Sequence, residues 1–245
     1  MTERYFGKTA VTAVFLFIFS VVDSIAFASI SVSPVRIDLG DSHTKDVIRV
    51  SNQEQRQKSY QVEVVAWSQE DGRPEVYAPT EAILAVPPLF TLESGEEQLV
   101  RIGMMEEADA AKEHTYRVFI TEIASPQSAD APASGVAMRL QIGVPVFVAP
   151  KALPFSTFDL IESNNVDGKL FLKFRNSGNT HVKVSEVQYQ PPGIGDAVVA
   201  PTATYVLAGQ TGYLPVPSPD GRAVGKVTLV TDSLGTLEYE LPGTP

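Results

Sequence analysis

From Val136 to Val148 every even position is apolar: Val136, Met138, Leu140, Ile142, Val144, Val146 and Val148. Between them stand Ala137, Arg139, Gln141, Gly143, Pro145 and Phe147. Alternation with period two is the mark of a β-strand with one apolar face. The run is about twice the usual strand length of roughly 5–6 residues. It also contains Pro145, which has no N–H to give to a ladder and therefore points to a sheet edge. Two readings follow. The run is an ordinary core strand of its own domain, or part of it is an edge on which another chain can lay a strand. Alternation alone leaves both open.

The rest of the chain repeats the strand signal. "SISVSPVRIDL" (29–39), "DVIRVSN" (46–52), "SYQVEVVAW" (59–67), "EQLVRIG" (97–103) and "HTYRVFITEI" (114–123) precede the run. Turn residues separate them, among them Gly40-Asp41, Asp71-Gly72, Pro87-Pro88 and Ser94-Gly95. "AKEHTY" has room for one helical turn at most. A break falls at "APKALPFS" (149–156). A second set follows: 155–161, 168–178, 181–190, 203–209, 211–217, 222–231 and 236–242. Strands at this spacing without helical periodicity predict an all-β protein built of sandwiches. With 245 residues, the chain divides naturally into two domains, 29–150 and 151–245.

Residues 1–28 stand apart. Arg4 and Lys8 precede the apolar stretch 10–22, and Ala26 and Ala28 form an A-x-A pattern. This is the layout of a secretory signal peptide cut after Ala28. The apolar stretch is short of the ~20 residues a membrane span needs. No later stretch would insert the mature chain in a membrane. Removal of the leader takes Glu3, Arg4, Lys8 and Asp23, so the net charge stays at −10. An acidic exported chain without basic blocks is a poor partner for nucleic acid. It has no cysteine, so the core carries stability without disulfides.

No catalytic constellation emerges. His43, His114 and His181 are isolated and off metal-ligand spacing, so each is read as a surface residue and no metal site is expected. "GRAVGKVT" (221–228) has three residues between its glycines and Val227 where a phosphate loop needs Ser or Thr, so it reads as a strand. Glu96-Glu97 and Glu106-Glu107 are adjacent, and on a strand adjacent side chains face opposite ways. The expectation is a protein without cofactor and without enzymatic activity.

Several stretches occur in a telling order: "SVSPVRIDL", "VPPLFTLESGEEQLVRIG" (86–103), "YRVFITEI" (116–123), "MRLQIGVPVFVAP" (138–150) and "LKFRNSGNTHVKVSEV" (172–187). Together they resemble the periplasmic pilus-assembly chaperones of the chaperone–usher pathway, over nearly all of residues 29–245. "IGVPVFV" is similar to the archaic branch, which serves spore-coat-U-like subunits. The resemblance implies two immunoglobulin-like β-sandwich domains arranged as an L. It implies that the long run is the last strand of the first domain, lent to a pilus subunit that lacks one strand. Val136, Met138, Leu140, Ile142 and Val144 would then fill the subunit's groove, while the end of the run packs at home. Burying four such side chains at ~1.5–3 kcal/mol each gives on the order of 6–12 kcal/mol before ordering costs.

The family also grips the subunit's C-terminal carboxylate with basic residues in the cleft between its domains. Arg36 matches the arginine of the first strand. The lysine of the last strand is missing, because its position holds Pro145. Arg117 is the replacement expected here, since an arginine fork suits a carboxylate; Arg139 has solvent-facing neighbours. The resemblance further implies a periplasmic location and an outer-membrane usher as second partner; whether the free chain covers its donor strand by self-association is left open by the sequence. The reading from a different class is a secreted structural or adhesive β-sandwich subunit.

Overall fold

A computed structural model describes residues 30–70, 73–109, 111–123, 139–193, 195–218 and 222–242. The leader and the donor positions Val136 and Met138 lie outside the described residues. So do the predicted cleavage site and residues 243–245.

The described chain contains strands and no helix. The first group is β1 (Ile30–Ser33), β2 (Ile37–Leu39), β3 (Lys45–Asn52), β4 (Lys58–Glu70), β5 (Arg73–Pro79), β6 (Ile83–Val86), β7 (Leu89–Leu92), β8 (Glu97–Met104), β9 (His114–Ile123) and β10 (Gln141–Val148). They form two facing sheets, β1-β3-β8-β6 and β2-β10-β9-β4-β5, with β7 on β4. The core between them comes from alternate positions: Ile48 and Val50, Tyr60 and Val62, Val100 and Ile102, Tyr116, Val118 and Ile120, Val144, Val146 and Val148.

The second group is β11 (Asp159–Val166), β12 (Lys169–Arg175), β13 (Val182–Gln190), β14 (Val198–Val206), β15 (Thr211–Val216), β16 (Val224–Thr231) and β17 (Thr236–Pro242). Its sheets are β11-β12-β15 and β14-β13-β16-β17, around a separate core that includes Leu170, Leu172, Phe174 and Leu214. In β13 the buried positions run Val182, Val184 and then Val187, Tyr189. A bulge between Val184 and Glu186 supplies the extra residue that changes the parity. The architecture is all-β, two immunoglobulin-like sandwiches. The bend at residues 111–112 stands where a helical turn had room. Strands β5 to β7 occupy 73–92, where the sequence marks the turn residues Pro87-Pro88 and alternation alone assigns no strand.

Candidate functional site: a half-open strand and the cleft beside it

β10 is paired unevenly. All of Gln141–Val148 runs antiparallel to β9, in the register Val144↔Val118 and Pro145↔Arg117. On its other side β2 runs parallel to it and covers only Val146–Val148. Gln141 to Pro145 have no strand on that side among the described residues.

The register settles which groups the open edge presents. Glu122 N–H donates to Leu140 O at 2.8 Å, so the even residues of β10 form the hydrogen-bonded pairs with β9. The odd residues turn their backbone groups outward. Ala149 N–H duly donates to Leu39 O on the β2 side. Gln141 and Gly143 therefore offer N–H and C=O to the open edge, and Pro145, next to the start of β2, has no N–H to offer there. The missing N–H of Pro145 falls on the open side and costs the home sheet nothing, which answers why a proline is tolerated inside this strand.

The side chains divide the same way. Val144 is 1% exposed and belongs to the home core. This expected groove-filling residue therefore packs at home in the free chain. Ile142 packs partly against that core, and Leu140 is 39% exposed. Arg139 is exposed, as its neighbours suggested.

The odd face of β10 looks toward the second sandwich. Phe147 is buried there with Trp67 of β4 and with Leu207 and Tyr205, which end β14 and follow it. Phe147 also stacks on His181, ring centroids 3.7 Å apart. His181 is a correction to the sequence reading: His43 and His114 are exposed, but His181 is buried at 6% exposure. Its Nδ1 lies 2.9 and 3.0 Å from the two carboxylate oxygens of buried Glu113, which places a proton on Nδ1. Glu113 also accepts the backbone N–H of His181 at 3.1 Å. A buried carboxylate is tolerated only with such partners. Gln69 completes the junction, donating to Tyr205 O at 2.8 Å and accepting from Leu207 N–H at 2.9 Å.

Arg36 lies at this junction too. It pairs with Asp38 at 2.8 Å on its own sandwich and with Asp232 at 3.2 Å on the other, with its guanidinium 5.2 Å from the Phe147 ring centre. Burial opposes its charge, but Asp38 and then Asp232 outweigh that, so its pKa is raised. Arg117 sits apart from Arg36, lining a different cavity. Its guanidinium lies 4.0 Å from the Trp67 ring centre and pairs with Glu75 at 2.6 Å. Its Nε and the Trp67 Nε1 are buried without partners. Gly143 makes this placement feasible: a Cβ there would stand 2.9 Å from Arg117 Cδ and 3.1 Å from Phe119 Cε1. Arg117, Trp67, Glu75, Gly143 and Pro145 line a cavity of about 780 Å³, closed from the second sandwich by Lys183, Tyr205 and Tyr213. Lys183 is a residue that sequence reasoning missed. In "HVKVSEV" it is one more strand charge, and only the packing of the two sandwiches brings it opposite Arg117.

Among the described residues no group of acidic, His or Cys side chains could hold a metal ion, and no helix is long and apolar enough to cross a membrane. The arrangement is a pair of sandwiches with one half-open edge strand beside a cleft lined by Arg117 and Lys183. Residues 29–154 match the family model of the pili and flagellar-assembly chaperones, PapD N-terminal domain. The chain belongs to that family. No curated relative matches it at the sequence level.

Solved structures are similar in fold. One is the CsuC–CsuE chaperone–tip adhesion subunit pre-assembly complex from archaic chaperone–usher Csu pili of Acinetobacter baumannii, with TM-score 0.61, 18% identity, and coverage of 89% of this chain and 100% of that one. Another is the Salmonella enterica SafA pilin in complex with the SafB chaperone, with TM-score 0.59, 17% identity, and coverage of 88% and 97%. The Pseudomonas aeruginosa CupB2 chaperone gives TM-score 0.51, 16% identity, and coverage of 86% and 99%.

Proposed function

We propose that this chain is a non-enzymatic periplasmic chaperone that completes a pilus subunit by lending it the leading part of the β10 run, and then delivers the subunit to an outer-membrane usher. Residues 1–28 are the export signal, 29–150 the donor domain and 151–245 the second domain. The observation that carries the reading is the open edge of β10 from Gln141 to Pro145, continuous with the exposed Leu140. A guest strand pairs there with the backbone of Gln141 and Gly143. Val136, Met138, Leu140 and Ile142 fill its groove, and Val144 marks where the guest core gives way to the home core. The guest's C-terminal carboxylate enters the cleft. Arg117 takes it directly with its fork, while Arg36, held by Asp38 and Asp232, braces the neighbouring junction.

Co-expression with the subunit from the same operon tests this. Leu140→Glu leaves the chaperone folded and lowers subunit yield and solubility by at least about tenfold, because a carboxylate replaces an apolar plug. Unchanged subunit yield with Leu140→Glu contradicts the donor-strand reading. Arg117→Ala weakens capture of the same subunit, and unchanged affinity removes Arg117 from the anchor.

A further inference from the structure

The family comparison led to a lysine on the donor strand, and Pro145 stands in its place. The cleft nevertheless holds a second cation, contributed by the other sandwich. Lys183 of β13 lines the same cavity as Arg117, across from it. Its backbone is fixed on both sides of its Cα: Lys183 N–H donates to Asp232 Oδ1 at 2.9 Å, and Lys183 O accepts from Asp232 N–H at 3.1 Å. Its Nζ stands 5.6 Å from the Tyr205 ring centre and forms no ion pair among the described residues. Tyr205 is itself wedged edge-on against Trp67 with centroids 5.8 Å apart. Trp67 in turn carries Arg117 on its face. One aromatic pair thus separates the two cations, with a positive charge on each outer side.

The charge balance is also informative. The cavity lining carries Arg117 and Lys183 against the single carboxylate of Glu75, which already occupies one arm of Arg117. A net positive cavity in a chain of net charge −10 runs against the bulk field and selects an anionic group. Two buried donors, Arg117 Nε and Trp67 Nε1, lack acceptors in the same region. The terminal carboxylate of a guest strand laid along the β10 edge is anionic, accepts several hydrogen bonds and so matches these requirements.

We infer that Lys183 is the second cation of the carboxylate anchor, so that the guest's C terminus is gripped across the two sandwiches and not by one of them. The inference rests on the donor-strand reading above. It has a consequence of its own: a bound carboxylate ties β9 of the first sandwich to β13 of the second and holds the cleft at one width.

The probe is a fimbrial subunit that the chain captures, co-expressed with it in two forms. One has its natural C terminus and the other is extended by two glycines, which moves the carboxylate out of register. Full-length chaperone is compared with Lys183→Met, which keeps the stem, and Lys183→Arg, which keeps the charge. The wild-type protein is expected to hold the natural subunit about 10- to 100-fold more tightly than the extended one, the worth of a charged hydrogen-bonded contact. Lys183→Met loses about tenfold on the natural subunit and little on the extended one, and Lys183→Arg recovers most of the loss. Lys183→Gln serves as a second neutral variant should Lys183→Met fold poorly by thermal denaturation. If the neutral variants discriminate between the two subunit forms as wild type does, Lys183 has no part in the anchor, while the donor strand stands or falls on Leu140→Glu alone. If wild type holds both forms equally, no carboxylate is gripped and the role of Lys183 falls with the anchor.

Discussion

The two ends of β10 share one pattern and have different neighbours. Val146 to Val148 are hydrogen-bonded on both edges, by β9 and β2, and are covered on both faces, by the home core and by the second sandwich at Phe147. Gln141 to Pro145 have β9 alone, and Leu140 before them is exposed. The trailing end has every backbone and side-chain requirement met at home. At the leading end Val144 is still covered at home, but Ile142 is only partly covered, Leu140 is exposed, and the backbone groups of Gln141 and Gly143 on the β2 side have no strand partner among the described residues. The lesson is that alternation encodes what a strand can bury, whereas its neighbours decide in whose core it is buried.

Substitutions that treat the two ends alike should give unlike results. Val146→Asp places a charge in a fully enclosed site and should cost at least about 4 kcal/mol, enough to unfold a marginal sandwich. Loss of the thermal transition and of periplasmic yield would be the readout, and a normally folded Val146→Asp would break the comparison. Gly143→Ala sits between the ends. Its Cβ meets Arg117 and Phe119, so it should cost about 1–3 kcal/mol of overpacking and also lower subunit affinity as Arg117 moves off Trp67. Thermal denaturation and capture of the subunit report the two effects separately. Leu140→Asp, with the same chemistry as the first change, should shift free-chaperone stability by less than about 0.5 kcal/mol while abolishing capture. A large drop in its own stability would mean that Leu140 belongs to the home core.

Much of this was legible in the chain. The even face of the run, the edge status of Pro145 and the all-β architecture follow from period-two spacing and proline chemistry. The strands β5 to β7 escaped because β6 and β7 have four residues each and β5 begins and ends among turn residues and prolines. Phe147 carried a faint signal: one aromatic at an odd position of a strand whose other odd residues are small or polar. What it meets could not be read, because Trp67, Tyr205 and His181 are brought to it by the packing of two sandwiches. The same holds for His181, whose burial depends on Glu113 at a separation of 68 residues. The cleft's cations show the limit clearly. Arg36, which stands just before β2, was legible only through the family resemblance of "SPVRIDL", and its engagement by Asp232 was not legible at all. Arg117 was legible only as a strand arginine, and its perch on Trp67 depends on the absence of a side chain at Gly143.

The central claim is that the leading end of β10 is an edge reserved for a guest, and residue-resolved amide hydrogen exchange tests it directly. In the free protein the N–H groups of Ile142 and Val144 face β9 and should be protected, while those of Gln141 and Gly143 face the open edge and should exchange fast. Binding of the subunit should protect Gln141 and Gly143 and leave Ile142 and Val144 unchanged. Fast exchange of Gln141 and Gly143 in the complex as well would contradict the account, since the guest would then be bound without pairing to β10.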